Sequence, residues 1–454
     1  MTPPFSTFAA IRYGFGLSPN VAAPRDLGEM LGWLREPDVI VAQFPIAGFE
    51  PRRRETAAWG ELRKALRAET DGAEAAFKAA NLVALSEMSR DLVSTVNRVV
   101  ASPDGFRERL VQFWADHFTV DSSGKGLRFV TLGYVEDAIR PNITGNFRDL
   151  LAAVELHPAM LVYLDQILSF GPTSKIGLKA GRGLNENLAR EILELHTLGV
   201  GGGYGQTDVR QFAELLTGLD FNFRNGFRFR AGTAEPGAET VLGRSYGGGR
   251  PGLADIRSAL DDIALHPDTA RHLARKLVVH FISDDPDPQL VAAMAAAYLA
   301  KDGDLMALYE TMLDHPVAWQ GFGQKAKKPF DFVVSTFRGL GVAAETLAEF
   351  KLRETRQYLS GPLTVMGQPF LMAPGPNGFP EALDHWITPQ GLAARIEWAL
   401  IIVQKFGGEL DPGAFARTAL AEVADPALVR LVGAAESKTE GVALVLASPE
   451  FNRR

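Results

Sequence analysis

A punctuation mark recurs along this chain and limits the folds open to it: an apolar stretch, then His or Ser followed by Pro, then another apolar stretch. It stands at Ser102-Pro103, His157-Pro158, His266-Pro267, His315-Pro316 and Ser448-Pro449. Proline is tolerated at the first helical position, where its missing N–H costs nothing, and the residue before it can cap the helix. A chain marked this way is a succession of helices, and His157, His266 and His315 read as turn residues rather than catalytic ones. Between the marks, residues 74–100 are rich in helix formers and carry apolar side chains at Leu82, Leu85, Met88, Leu92 and Val96, the spacing of a helix.

The expected fold class is mainly α: a large multi-helix domain with a small β-hairpin insertion around 220–245. The 454 residues read as one unit with a helical lobe over 1–220, a hairpin and Gly/Pro-rich loop over 221–252, and a second helical lobe over 253–454. In the hairpin, a three-residue loop Arg224–Gly226 pairs Phe223 with Phe227 and Phe221 with Phe229. The rings then share one face, while Asn222, Arg228 and Arg230 take the other. Two stretches, Gly232–Gly252 and Gly361–Pro389, are long for connections. Each either walls a cleft or joins helices along the surface.

Composition removes several classes. The net charge is −7 with Lys and Arg spread along the chain, which argues against nucleic acid as the main partner. No apolar run reaches the roughly 18 residues of a membrane span. With no Cys there is no disulfide, thiolate nucleophile or Cys-ligated metal. The N-terminus lacks the basic and apolar regions of a secretory signal, so the expected location is the cytoplasm. The glycine run Gly199–Gly205 contains no G-x-G-x-x-G and no Lys-Ser/Thr, and the chain has no G-x-S-x-G and no H-E-x-x-H. These absences disfavour nucleotide-binding loops, serine hydrolases of the usual kind and zinc proteases.

The unusual chemistry lies between Asn185 and His196. Asn185 suits a helix cap and Gly199 the position past the end. At about 100° per residue, Leu188, Ala189, Ile192, Leu193, Leu195 and Leu198 cover most of the helix circumference. Asn187, Glu191 and Glu194 stack along one stripe with Arg190 beside them, while His196 projects about 140° from Glu191. A carboxylate pair on that stripe suits a divalent cation, or the sharing of a proton as an acid–base pair. The alternative is an ion network that ties helices together. On the 102–120 helix, His117 falls at the centre of the apolar side, with Gln112, Asp116 and Thr119 opposite. His117 and His196 could share one site, and His280, at the edge of an apolar helix face, is a third candidate. Lys175, Lys179 and Arg182 precede the Asn185 helix and suit an anion, if they are not a solvated basic loop.

Several segments resemble, in order, the landmarks of the bacterial family labelled domain of unknown function 1800. They include Arg12-Tyr-Gly-Phe-Gly16, Phe113-Trp-Ala-Asp-His-Phe118, His157-Pro-Ala-Met160, Gly183 to Gly199, Tyr204-Gly-Gln-Thr-Asp208 and Arg275-Lys-Leu277. The resemblance covers nearly the whole chain. It implies a mostly helical protein, export to the periplasm in many relatives, and frequent encoding beside a family that resembles sulfatases and phosphatases. Many members carry a His in the loop after the hairpin where this chain reads Thr233-Ala234-Glu235, which weakens a metal role here. Two functions follow as expectations. The first is a hydrolase-like or metal-dependent enzyme, with Glu191, Glu194, His196 and His117 catalytic and Asn185, Asn187, Arg190, Lys175 and Arg182 binding ligand. The second is a non-catalytic binding or maturation partner of a sulfatase-like protein, in which the same residues are structural.

Overall fold

Helix starts are set locally, as the punctuation predicts. In the computed structural model, which describes residues 2–124 and 126–454, His157 Nδ1 accepts from Ala159 N–H, His266 Nδ1 from Asp268 N–H and His315 Nδ1 from Val317 N–H. Ser448 Oγ caps the 449–452 turn by accepting from Phe451 N–H. Ser102 differs: its Oγ accepts from Asp104 N–H, and Asp104 caps the helix Gly105–His117 through Arg107 N–H. In each case a proline or turn fixes the backbone, and a side chain supplies the acceptor that the first helical N–H groups lack.

The chain is predominantly helical, and the described residues hold two two-stranded antiparallel sheets. The first hairpin pairs Leu219–Asn222 with Gly226–Phe229, placing Phe221 opposite Phe227 and Asn222 opposite Gly226. This corrects the expected register by two residues. The three-residue loop is Phe223–Asn225, closed by Asn222 Oδ1 accepting from Asn225 N–H, and Gly226 takes the left-handed conformation (φ +78°) that ends it. A two-residue slip preserves the faces. Phe221, Phe227 and Phe229 stay on one side, and Asp220 faces Arg228 on the other at 2.6 Å. The Gly232–Gly252 stretch is a second hairpin, Ala238–Val241 with Arg244–Gly247.

Buried apolar side chains form two large cores. One draws on residues between Phe8 and Ala318, including the apolar face of Gly105–His117 and the helices Phe147–Glu155, Pro267–Phe281 and Leu305–Asp314. The other takes Phe15, the Leu92–Val100 end of the helix Ala73–Ala101, and residues 330–451. The hairpin segment is therefore not where the cores divide: its Leu219, Phe221, Val241 and Tyr246 belong to the first. Helices of the two cores are joined by polar contacts. Arg109, on Gly105–His117, donates to Asp331, on Pro329–Gly339, at 2.9 Å. The extended segment Lys325–Lys328 is held beside them by backbone bonds: Lys325 N–H to Arg454 O, Arg454 N–H to Lys325 O and Lys327 N–H to Asn452 O.

Candidate functional site

The Asn185–His196 segment is not one straight α-helix. Asn185 Oδ1 accepts from Asn187 N–H, the helix Asn187–Glu191 follows, and Ile192–His196 forms a π-turn. A π-turn bonds residues five apart instead of four. That change swings His196 back toward Glu191, so the 140° separation expected of an α-helix does not hold. Glu191 is half-buried; burial raises its carboxyl above the usual range, and His196 partly offsets this. Asn187 is exposed. Arg190 donates to Glu194 at 3.2 Å and to Glu186 at 3.0 Å, so one guanidinium grips the two carboxylates flanking Glu191. Glu191 also adds to the field of Asp121 around Tyr163, whose phenol burial pushes up to about 12. Lys175, Lys179 and Arg182 are exposed, the two lysines on a short helix capped by Ser174.

The histidines answer the needs of the π-turn. Its last carbonyls lack helical partners, and two rings from other helices supply donors. His117 Nε2 donates to His196 O at 3.1 Å, and His272 Nε2 donates to Leu195 O at 3.0 Å. A carbonyl can only accept, so Nε2 carries the proton in both rings. Burial holds His117 well below its ordinary pKa and lowers His272 to about 4, with Lys276 reinforcing both shifts. Both are therefore neutral donors at pH 7. Gly199 sits against His272 at φ +86°, where a Cβ would lie 2.6 Å from Nδ1. His117 and His196 do come together, with ring centroids 5.9 Å apart. The nearest charged neighbour of His196 is Glu155, whose Oε1 lies 2.7 Å from Nδ1. Both side chains are fully buried, and beyond this contact their polar atoms have no hydrogen-bond partner.

A second polar centre lies where helices of the two cores meet. A cavity of about 70 Å³ is walled by Arg109, Gln112 and Asp116 of Gly105–His117, by His280, by Lys328 and Asp331, and by Phe370 and Phe379 of the 361–389 stretch. That stretch thus does wall a cleft. Gly378 (φ +77°) packs so closely that a Cβ would stand 2.6 Å from Asp116 O, and Phe379 N–H donates to Asp116 Oδ1 at 2.9 Å. His280 Nδ1 lies 2.7 Å from Glu381 Oε1, and its Nε2 has no partner. Lys328 Nζ bridges Glu381 at 2.9 Å and Asp116 at 3.1 Å.

The electrostatics of this centre are one-sided. Burial opposes every charge here, but Arg109 and Arg454 hold Asp331 below the carboxylate range. His280, Lys328 and Lys325 hold Glu381 well below it, and Asp116 and Glu381 keep the Lys328 ammonium charged. Burial drives His280 down to about 3 against the pull of Glu381, so its imidazole is neutral. Two lysines are left over. Lys327 Nζ lies 4.0 Å from the Phe451 ring centroid, and burial lowers its pKa to about 7 despite Asp331. Lys276 is likewise lowered by burial, with Asp116 and Glu381 only partly compensating. Among the described residues neither ammonium has a carboxylate within ion-pair distance. Six basic groups (Arg109, Lys276, Lys325, Lys327, Lys328 and Arg454) thus surround four carboxylates, Asp116, Asp284, Asp331 and Glu381.

Of the expected site residues, the fold joins His117 to His196 and Glu191 to Glu194, and leaves Lys175, Arg182 and Asn187 on the surface. Among the described residues no three His, Asp or Glu side chains converge as metal ligands. Sequence reasoning missed Arg109, Lys328, Asp331 and Glu381; the polar side of Gly105–His117, with Gln112 and Asp116, was the available signal. No helix among the described residues is long and apolar enough to cross a membrane. No curated protein and no solved structure matches the chain. Residues 9–453 match the family described as "Protein of unknown function (DUF1800)", and the chain belongs to that family.

Proposed function

We propose that this chain is a hydrolase-like acid–base enzyme acting on a small anionic group held in the Arg109–Lys328–His280 cavity. The observation that carries the reading is a cluster of buried cations, two of which, Arg109 and Lys328, line a cavity beside His280 and its partner Glu381. Burying cationic groups is costly even when carboxylates partner them, and an anion bound beside them would offset part of that cost. Arg109 and Lys328 would bind the anion and meet the charge that develops on it. His280, fixed by Glu381 through Nδ1, offers its unpartnered Nε2 as the base that takes a proton from water as the water oxygen attacks, and the bound anion would raise its low pKa toward the working range. The proton then passes to the leaving group as its bond breaks. His117 and His272, which hold the π-turn, stand on the same two helices as Asp116 and His280 of the cavity wall.

A second reading is favoured by one feature: Asp116, Asp331 and Glu381 are each gripped by a cation. The network would then be structural, and the chain a binding or maturation partner of a sulfatase-like protein. Turnover of p-nitrophenyl phosphate, sulfate and acetate separates the two. The enzyme reading expects activity on at least one ester, with His280→Asn lowering kcat by about 10²–10⁴-fold in a folded variant. Activity indifferent to His280→Asn would refute it. No turnover of any ester, with Glu381→Gln strongly destabilising, favours the structural reading.

A further inference from the structure

A larger cavity, about 540 Å³, lies behind the small one, and Pro369, Phe370 and Leu371 wall both. Its volume falls within the range usual for small-molecule sites, about 300–1,000 Å³. The lining is mixed. Leu85, Met88, Leu92 and Phe129 are apolar, while Ser89 and Thr355 are buried residues whose hydroxyls have no hydrogen-bond partner. Buried hydroxyls are ordinarily satisfied, so two unpartnered hydroxyls on one cavity wall are free to pair with a polar atom of a ligand.

The shared wall is itself unusual. Leu371 adopts φ +55°, a left-handed conformation that non-glycine residues rarely take, and its carbonyl is held by Ser122 N–H at 2.9 Å. Such strain persists only where the surroundings enforce it, and it clusters at ligand clamps. Beside it the Phe370 ring stacks on Phe330, which lines the small cavity, at 6.0 Å and 24°. Phe370 therefore stands on the boundary between the two spaces.

We infer that the substrate is an amphiphilic anion, a phosphate, sulfate or carboxylate head on an apolar body, with the head among Arg109 and Lys328 and the body in the larger cavity. The inference rests on the anion-site reading above and adds the substrate class. The body would lie against Leu92 and Phe129, with a polar atom for Ser89 and Thr355. Calorimetric titration with methyl, butyl and octyl phosphate, each below its micelle concentration, tests it. Octyl phosphate is expected to bind at least tenfold more tightly than methyl phosphate. Thr355→Phe, and independently Leu92→Trp, should bring the octyl-to-methyl ratio toward one. Equal binding of methyl and octyl phosphate by the wild-type protein overturns the inference and leaves the anion site standing. Binding of neither overturns both. An octyl preference that survives in both folded variants places the chain elsewhere and also overturns it.

Discussion

His196 Nδ1 stands 2.7 Å from Glu155 Oε1, with both side chains shut away from solvent. The π-turn puts the ring there, and His117 and His272 hold the turn by its carbonyls. Removing one partner leaves the other buried and uncompensated. Glu155→Ala and His196→Ala should each cost about 3–5 kcal/mol, read from urea midpoints. The double variant should cost clearly less than the sum, because the second change removes an already orphaned group. Additive losses would show that the pair is not coupled.

The capping histidines make a separate claim. His117→Ala and His272→Ala each strip a donor from a carbonyl of the π-turn, at a cost of about 1–3 kcal/mol. Because both rings stay neutral in the folded protein while the unfolded chain takes up a proton near 6.5, these losses should be larger at pH 8 than at pH 6, by up to about 1 kcal/mol each. A loss larger at pH 6 than at pH 8 would contradict the assigned neutral state.

Lys327 predicts a pH slope of known sign. Its folded pKa is lowered to about 7 from an unfolded value of 10.5. Below about 7 both states carry the charge, and the folded state bears its burial cost. As pH rises from 7 toward 10.5 the folded state releases its proton first, so stability increases. At about 1.4 kcal/mol per pKa unit, the ceiling is several kcal/mol. Unfolding free energy should therefore climb between pH 7 and 9, and Lys327→Met should flatten the climb.

Glu239 predicts the opposite slope in a lower window. It is buried on the second hairpin beside Glu214, and burial first, then that carboxylate, raises its pKa to about 7 from 4.5. The folded state keeps its proton longer, so stability is lost as pH rises from 4.5 through 7. Allowing for solvent screening, Glu239→Gln should stabilise the protein by about 1 kcal/mol at pH 8 and remove the slope between pH 5 and 7. Thermal unfolding across that range measures both.

What could be read from the sequence was what neighbours in the chain decide. The His-Pro caps were legible because proline fixes φ and the acceptor lies two residues away. The hairpin was visible but its register was not: Asn222 capping Asn225 outweighed the placement of Gly226 as the last loop residue, and both registers show the same faces. The π-turn was hidden because donors 77 and 79 residues distant, His272 and His117, favour it. His280 and the 361–389 stretch were both visible as candidates, yet nothing local joined them. The run Lys325-Ala-Lys-Lys328 carries no local sign of burial. Its burial depends on Glu381 and Arg454, more than 50 residues further along the chain.

The surplus of buried cations is the centre of this account, and inorganic phosphate is its simplest probe. Isothermal titration at pH 7 should show one saturable site in the millimolar range or tighter. Lys328→Gln, confirmed folded by circular dichroism, should weaken it at least tenfold. Absence of saturable binding, or equal affinity in wild type and Lys328→Gln, would contradict the claim that this cavity is built for an anion.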